Sequence, residues 1–151
     1  MENAEPNIQY CVNLFMVSNM EASLKFYVDG LGFTLRNTWT PHSKIEWCWL
    51  QRDGGPLMLQ EFRTSETKPY LMGDKPGAGV SAWFQCRDSL VLYQEFTAKG
   101  VAVDEPFVGN GLWDVSLKDP DGYGLHFESP TDVPEETMYS DWMASEGKGE
   151  R

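Results

Sequence analysis

Ser23-Leu24-Lys25-Phe26-Tyr27-Val28-Asp29-Gly30-Leu31-Gly32-Phe33 carries a helix to its end and returns the chain to a strand. Met20, Leu24, Tyr27 and Leu31 recur at helical spacing, so one face of the helix is apolar. Gly30 and Gly32 stop it, because glycine accepts the left-handed exit conformation. Ahead of the helix, Ser18 and Glu21 have capping-box spacing. The short apolar run from Ile8 to Val17 reads as a strand leading into it. Beyond the helix, Phe33, Leu35, Asn37 and Trp39 alternate with more polar neighbours. Thr40 to Ser43 is a loop, and Ile45, Trp47 and Trp49 alternate along a further strand. Asp53-Gly54-Gly55-Pro56 turns the chain into a last strand, Leu57 to Phe62. The order is β, α, β, β, β.

The same order returns downstream. Val80 to Cys86 reads as a strand, Asp88 as the cap of a helix carrying Leu92 and Phe96, and Gly100 as its stop. Val101 and Val103 start a strand, a loop with Pro106, Gly109 and Gly111 follows, and Leu112 to Leu117 is the next strand. Asp119-Pro120-Asp121-Gly122 is a strong turn before the last strand, Tyr123 to Glu128. The division expected is a first βαβββ module over 1–63, a polar linker over 64–79, a second module over 80–130 and a tail over 131–151. A four-stranded module with one helix leaves a sheet face bare, so two modules gain by packing together. The fold class expected is α+β, with two βαβββ modules forming curved mixed sheets around a shared pocket and the helices outside. Bare sheet edges favour pairing with another chain, so a homodimer is expected.

Composition narrows the partners. Acidic residues outnumber basic ones 23 to 12, for a net charge of −11. That excludes the basic patch a nucleic-acid binder needs, and it would draw in a cationic ligand. A solvated acidic surface that aids solubility explains the same balance. Cys11, Cys48 and Cys86 form no CxxC pair and fit a reducing compartment. The start, Met1 to Pro6, lacks the basic residues and apolar run of a secretory signal, and no apolar stretch reaches membrane-spanning length. The expected location is the cytoplasm, with no membrane partner.

The stretch Ser23 to Phe33 resembles the helix-and-turn signature "S-x-x-F-Y-x-x-x-L-G-F" of the vicinal oxygen chelate superfamily, which takes in glyoxalases, bleomycin-resistance proteins and extradiol dioxygenases. Asp119-Pro120-Asp121-Gly122-Tyr123 resembles its hairpin before the last strand. The similarity covers roughly Ile8 to Pro130. Enzymes of this family hold a divalent metal on His, Glu or Gln side chains from the first and last strands of each module, and the metal acts as a Lewis acid. Carried onto this chain, those positions are Val12 and Leu59 in the first module and Ser81 and His126 in the second. Only His126 is a competent ligand, and a register error in the fourth strand would add Gln60 or Glu61. Catalytic transition-metal sites usually use three or more protein ligands. No metal and no cofactor are therefore expected.

A member without a metal points to the binding branch, typified by bleomycin-resistance proteins. Ala82 to Tyr93 and Asp119 to Phe127 resemble that branch, whose members are acidic dimers that sequester a cationic aromatic glycopeptide unchanged. The function expected is metal-independent binding of a small aromatic ligand, with a cation favoured. The alternative is a metal-dependent glyoxalase-type lyase or dioxygenase of the same family. The ligand-binding residues expected are Trp39, Trp47, Trp49, Glu61, Trp113 and His126. Indole rings provide stacking walls and carboxylates suit a cation. Ordinary core positions for Trp47 and Trp49, and a hydrogen-bonded core role for His126, fit the same pattern. Bleomycin-resistance proteins typically carry Pro-Trp-Gly where this chain reads Val108-Gly109-Asn110, which puts bleomycin itself in doubt. No Ser/His/Asp constellation stands out, and no activating partner is recognisable for Cys86. In the tail, Met138, Tyr139, Trp142 and Met143 form an amphipathic stretch that would dock on a partner subunit, cover the pocket or hang free.

Overall fold

The computed structural model describes residues 5–62 and 76–150, with side chains to residue 146. In the first module, strand β1 (Asn13–Val17) leads into helix α1 (Met20–Leu24), which runs on as a π-helical turn (Lys25–Gly30). Strands β2 (Thr34–Trp39), β3 (Trp47–Arg52) and β4 (Gly55–Glu61) complete it. The second module is β5 (Ser81–Gln85), helix α2 (Ser89–Ala98), β6 (Phe107–Gly109), β7 (Leu112–Lys118) and β8 (Gly124–Pro130). Helix α3 (Tyr139–Glu150) follows. The sheet orders are β1-β4-β3-β2 and β5-β8-β7-β6. In each, the first strand pairs in parallel with the last and the other pairs are antiparallel. The chain is thus α+β, two mixed four-stranded sheets in two βαβββ modules, with no closed barrel.

Several boundaries move. Asn19, not Ser18, caps α1: its side chain accepts from Ala22 N at 3.0 Å. The amide of Ser18 instead donates to Asp121 of the other module. Asp88 caps α2 as expected. Residues 101–106 form no strand, and the second strand of the second module falls on Phe107–Gly109, within the segment expected to be a loop. Glycine there misled the sequence reading, yet β6 is a short edge strand, where backbone irregularity is tolerated. The expected linker, 64–79, lies outside the described residues as far as residue 75. The tail does not hang free. Its backbone meets β6 through Val108 N to Thr137 O and Glu136 N to Val108 O, and Tyr139 and Trp142 pack edge-on against Trp113.

One core joins both modules. Phe15, Val17, Leu57 and Leu59 of the first sheet meet Val115, Leu125 and Phe127 of the second, with Tyr27 and Phe96 from the helices. Tyr27 and Phe96 stand eight residues after their caps, at equivalent places, and both are fully buried. Each module's β-hairpin reaches the other's helix. The Tyr27 hydroxyl donates to Asp119 at 2.8 Å, and Arg52 donates to both carboxylate oxygens of Glu95 at 2.7 and 2.9 Å. Tyr123 adds a further clamp. Its ring stacks on Phe15 at 4.1 Å, and its hydroxyl accepts from Met16 N and donates to Met16 O. The two signature motifs, separated by most of the chain, are therefore in contact. At Gly32, φ is +78° and a Cβ would lie 2.7 Å from Arg52 Nη1, so a side chain there would break both the turn and the Arg52 contact.

Candidate functional site

Strand residues point alternately to opposite faces, so the ladder registers decide which site residues can meet. On the first sheet, one face carries Phe15, Val17, Cys48, Leu50, Leu57 and Leu59, all buried in the core. The other face is open. One row across it runs Met16, Gln60, Trp47, Trp39, and the next runs Leu14, Met58, Trp49, Asn37. Trp39, Trp47 and Trp49 are thus brought together on one partly exposed surface, with thioethers beside them. Trp39 is 46% exposed. Trp49 is oriented by its Nε1–H, which donates to Gln51 Oε1 at 2.9 Å.

The open face of the second sheet occupies the same places with different chemistry. Its rows run Trp83, His126, Ser116 and Gln85, Glu128, Asp114, Phe107. Trp83 lies flat on the His126 ring, centroids 3.7 Å apart and planes 2° from parallel. His126 Nδ1 lies 3.0 Å from Asp114 Oδ1. An ionised carboxylate only accepts, so Nδ1 carries the hydrogen and the ring is fixed in orientation. Gln85 Nε2 donates to Glu128 Oε1 at 2.8 Å, and Trp83 Nε1 donates to Ser81 Oγ at 2.8 Å. The outcome is an exposed indole on an imidazole, backed by two carboxylates. Trp83, Asp114 and Glu128 are not among the residues expected from sequence. The signal available was the two-residue step from His126 to Glu128 and the alternation of Trp83 with Ala82 and Phe84.

Two expected residues lie elsewhere. Trp113 is 4% exposed on the helix side of its sheet, enclosed by Tyr139 and Trp142. One position separates it from Asp114, and that step turns its ring to the opposite face. Glu61 also faces the helix side. Its carboxylate accepts from Met20 N at 2.7 Å and pairs with Lys44. Ser129 does the same for Ser89 N at 2.9 Å in the second module, so the position serves a helix start in both halves. Glu46 is buried and meets His42 Nδ1 at 2.7 Å.

The ladders also revise the metal positions. Asn13 pairs with Leu57 and Ala82 with Leu125, so the residue equivalent to His126 is Met58, not Leu59. The second hairpin is one residue longer between the pairs Gln51–Pro56 and Lys118–Gly124, which shifts an alignment made on its glycines. Leu59 itself is fully buried in the core. The four positions become Val12, Met58, Ser81 and His126. One imidazole with a thioether, an engaged hydroxyl and an aliphatic side chain does not fit a catalytic divalent ion. Among the described residues no group of three or more His, Cys, Asp or Glu is placed to hold one. Thiol chemistry has no support either: burial pushes the Cys86 thiol up, against the opposing pull of Arg52, and pushes Cys48 up to about 11.

A cavity of about 880 Å³ opens between the modules, lined from both: Arg52 to Pro56 on one side, Ala82 to Asp88 and Val91 on the other. Of the aromatic residues on the open faces, only Trp83 borders it. The open faces and this cavity are thus distinct surfaces that meet at one indole. Among the described residues, no helix is long and apolar enough to cross a membrane.

Solved structures share this architecture. A glyoxalase/bleomycin resistance protein/dioxygenase from Nocardioides is similar with a TM-score of 0.61 and 16% identity, over 89% of each chain. TnmS3, an antibiotic binding protein from Streptomyces sp. CB03234, is similar with a TM-score of 0.60 and 25% identity, over 84% of this chain and 100% of its own. TioX from Micromonospora sp. ML1 gives a TM-score of 0.63 at 18% identity, over 82% of this chain and 99% of its own. No curated protein matches. With the family model matching residues 7–127, the chain belongs to the Glyoxalase/Bleomycin resistance protein/Dioxygenase superfamily.

Proposed function

We propose that this protein binds and sequesters a small, planar, cationic aromatic molecule, without a metal and without changing it chemically. The observation that carries this reading is the contrast between the open faces: indoles and thioethers on one, carboxylates with an indole-covered imidazole on the other. Flat rings stack on indole, and a cation gains from indole faces and from nearby carboxylates. The net charge of −11 draws such a ligand in. The family's metal-dependent chemistry is disfavoured by the donor set, in which His126 stands alone. The likeness to an antibiotic binding protein adds support.

In this reading the working form is a cytoplasmic homodimer, in which the first open face of one protomer meets the second open face of its partner. The fully exposed edge strand β2 and the exposed side chains of Leu14, Trp39 and Trp83 provide the surface for that contact. A titration of the purified chain with planar cationic antibiotics, followed by tryptophan fluorescence, tests the proposal. Trp47→Ala and Trp49→Ala are expected to weaken binding by about tenfold each, the scale of one stacking or cation–π contact. The recovered ligand should have an unchanged mass. Recovery of a modified ligand, or near-stoichiometric Zn, Ni, Mn or Fe that is lost in His126→Ala, would sink it.

A further inference from the structure

The two halves of the chain are not equally filled, and the difference locates a second ligand site. In the first module, the outer edge of β1 is closed by Tyr123 from the opposite hairpin, whose hydroxyl bridges the N–H and C=O of Met16 while its ring lies on Phe15. The ladders identify the counterparts in the other half. Phe84 stands for Phe15, Gln85 for Met16 and Gly55 for Tyr123. The residue that should close the edge of β5 therefore has no side chain. Phe84 leans over Gly55, where a Cβ would come within 2.9 Å of its ring, and takes part of the space. The remainder is the cavity of about 880 Å³, a volume within the usual span of small-molecule pockets.

The walls of this cavity have specific chemistry. Val80 O and Cys86 N turn toward β8, where they bond Gly124 N and Glu128 O. Alternation along a parallel ladder then turns the backbone groups of Gln85 to the open edge. Among the described residues no side chain bridges them as Tyr123 bridges Met16. Two residues further, Arg87 borders the cavity with an exposed side chain, and among the described residues no carboxylate pairs with it. That is notable in a chain with nearly twice as many acids as bases. The other guanidinium, Arg52, is held by Glu95, and the Asp88 carboxylate is committed to capping α2. Asp53 sits at the exposed hairpin tip.

We propose that this cavity binds a phenolic acid: an aromatic ring with a hydroxyl at one end and a carboxylate at the other. The ring lies against Phe84 and Trp83. The hydroxyl takes the part of Tyr123 and bridges the backbone of Gln85, and the carboxylate pairs with Arg87. Strand β5 ends at Gln85 and the chain bends at Arg87, so the two-residue step spans at most about 6.6 Å of backbone, and the long Arg87 side chain extends that to a separation that a para-substituted ring carrying an acid arm can match. The site does not depend on the open-face reading.

Calorimetry on the full chain tests it, with 4-hydroxyphenylacetate as probe, and phenylacetate and p-cresol as controls lacking the hydroxyl and the carboxylate. One molecule of 4-hydroxyphenylacetate should bind per chain and shift the backbone amide resonance of Gln85. Phenylacetate and p-cresol should each bind about tenfold more weakly, the scale of one lost polar contact. Arg87→Gln should weaken the acid about tenfold and leave p-cresol unchanged. Val91→Trp, a change at an exposed position bordering the cavity, should weaken all three. Trp47→Ala should change none of them, which separates this site from the open face. Equal binding of phenylacetate, no effect of Arg87→Gln, or no binding at millimolar concentration overturns the proposal.

Discussion

The two modules repeat one backbone and reverse its chemistry. Where the first places Trp47, Trp49, Met58 and Gln60, the second places Asp114, Ser116, His126 and Glu128. Where the first module's helix is held by a buried hydroxyl on a buried carboxylate, Tyr27 on Asp119, the second's is held by a half-exposed ion pair, Glu95 with Arg52. Duplication fixes where groups stand, because registers and caps are backbone properties. It leaves open which groups stand there, so one half becomes an aromatic wall and the other an acidic one. In the proposed dimer, a ligand between such walls would meet both.

The comparison is sharpest where equivalent residues share a fate. Tyr27 and Phe96 are fully buried at matching places, so Tyr27→Ala and Phe96→Ala should each cost about 3–5 kcal/mol in denaturant unfolding. A large difference between them would break the equivalence. The next effect separates the halves. Tyr27→Phe keeps the ring and leaves Asp119 without its hydroxyl donor, at a cost of about 1–3 kcal/mol. Arg52→Gln leaves groups that water can reach, and should cost about 1 kcal/mol or less.

Titration sharpens it further. Burial, and then the neighbouring Asp119 charge, hold the Tyr27 phenol well above 10, and burial raises Tyr123 as well. Both keep their protons in the folded chain where the unfolded chain sheds them. Their contribution is complete below pH 10 and is lost as the pH rises beyond it, with a slope of about 1.4 kcal/mol per pH unit per group. Tyr27→Phe should flatten that alkaline limb without abolishing it. On the acid side the halves oppose each other. The Arg52 hydrogen bond holds Glu95 low, so its contribution is present above the ordinary glutamate range and fades as the pH falls. Burial raises Asp119, so its ionised form costs stability that returns on acidification. The acid limb should therefore shift least, and Glu95→Gln should raise the acid midpoint slightly. A larger acid than alkaline effect would contradict the assignment of the buried clamp to Tyr27.

Much of the fold was legible because it rests on local signals. Asp88 is a cap by side-chain chemistry alone, Asp119-Pro120-Asp121-Gly122 a turn by its dihedral preferences, and the run from Met20 to Leu31 a helix by period. The strand carrying Trp47 and Trp49 declared its two faces by alternation. The site was less legible. Trp113 was assigned to a ligand and Trp83 was not, although the two differ only in which face of a strand they occupy. The neighbours of Trp113, apolar Leu112 on one side and acidic Asp114 on the other, gave no unambiguous alternation. Leu59 was matched to His126 because a one-residue difference in hairpin length is invisible without the ladder.

By itself the sequence determined the duplicated βαβββ order, the helix starts and stops, the acidic balance and the scarcity of metal-binding side chains, all of which follow from residue type and short spacing. Only the tertiary structure decided that Tyr27 reaches Asp119, that Trp83 covers His126, and that a glycine opposite Phe84 leaves a cavity where Tyr123 closes its counterpart. Those contacts join residues far apart in the chain, and their partners are chosen by packing and strand register, to which local spacing is blind.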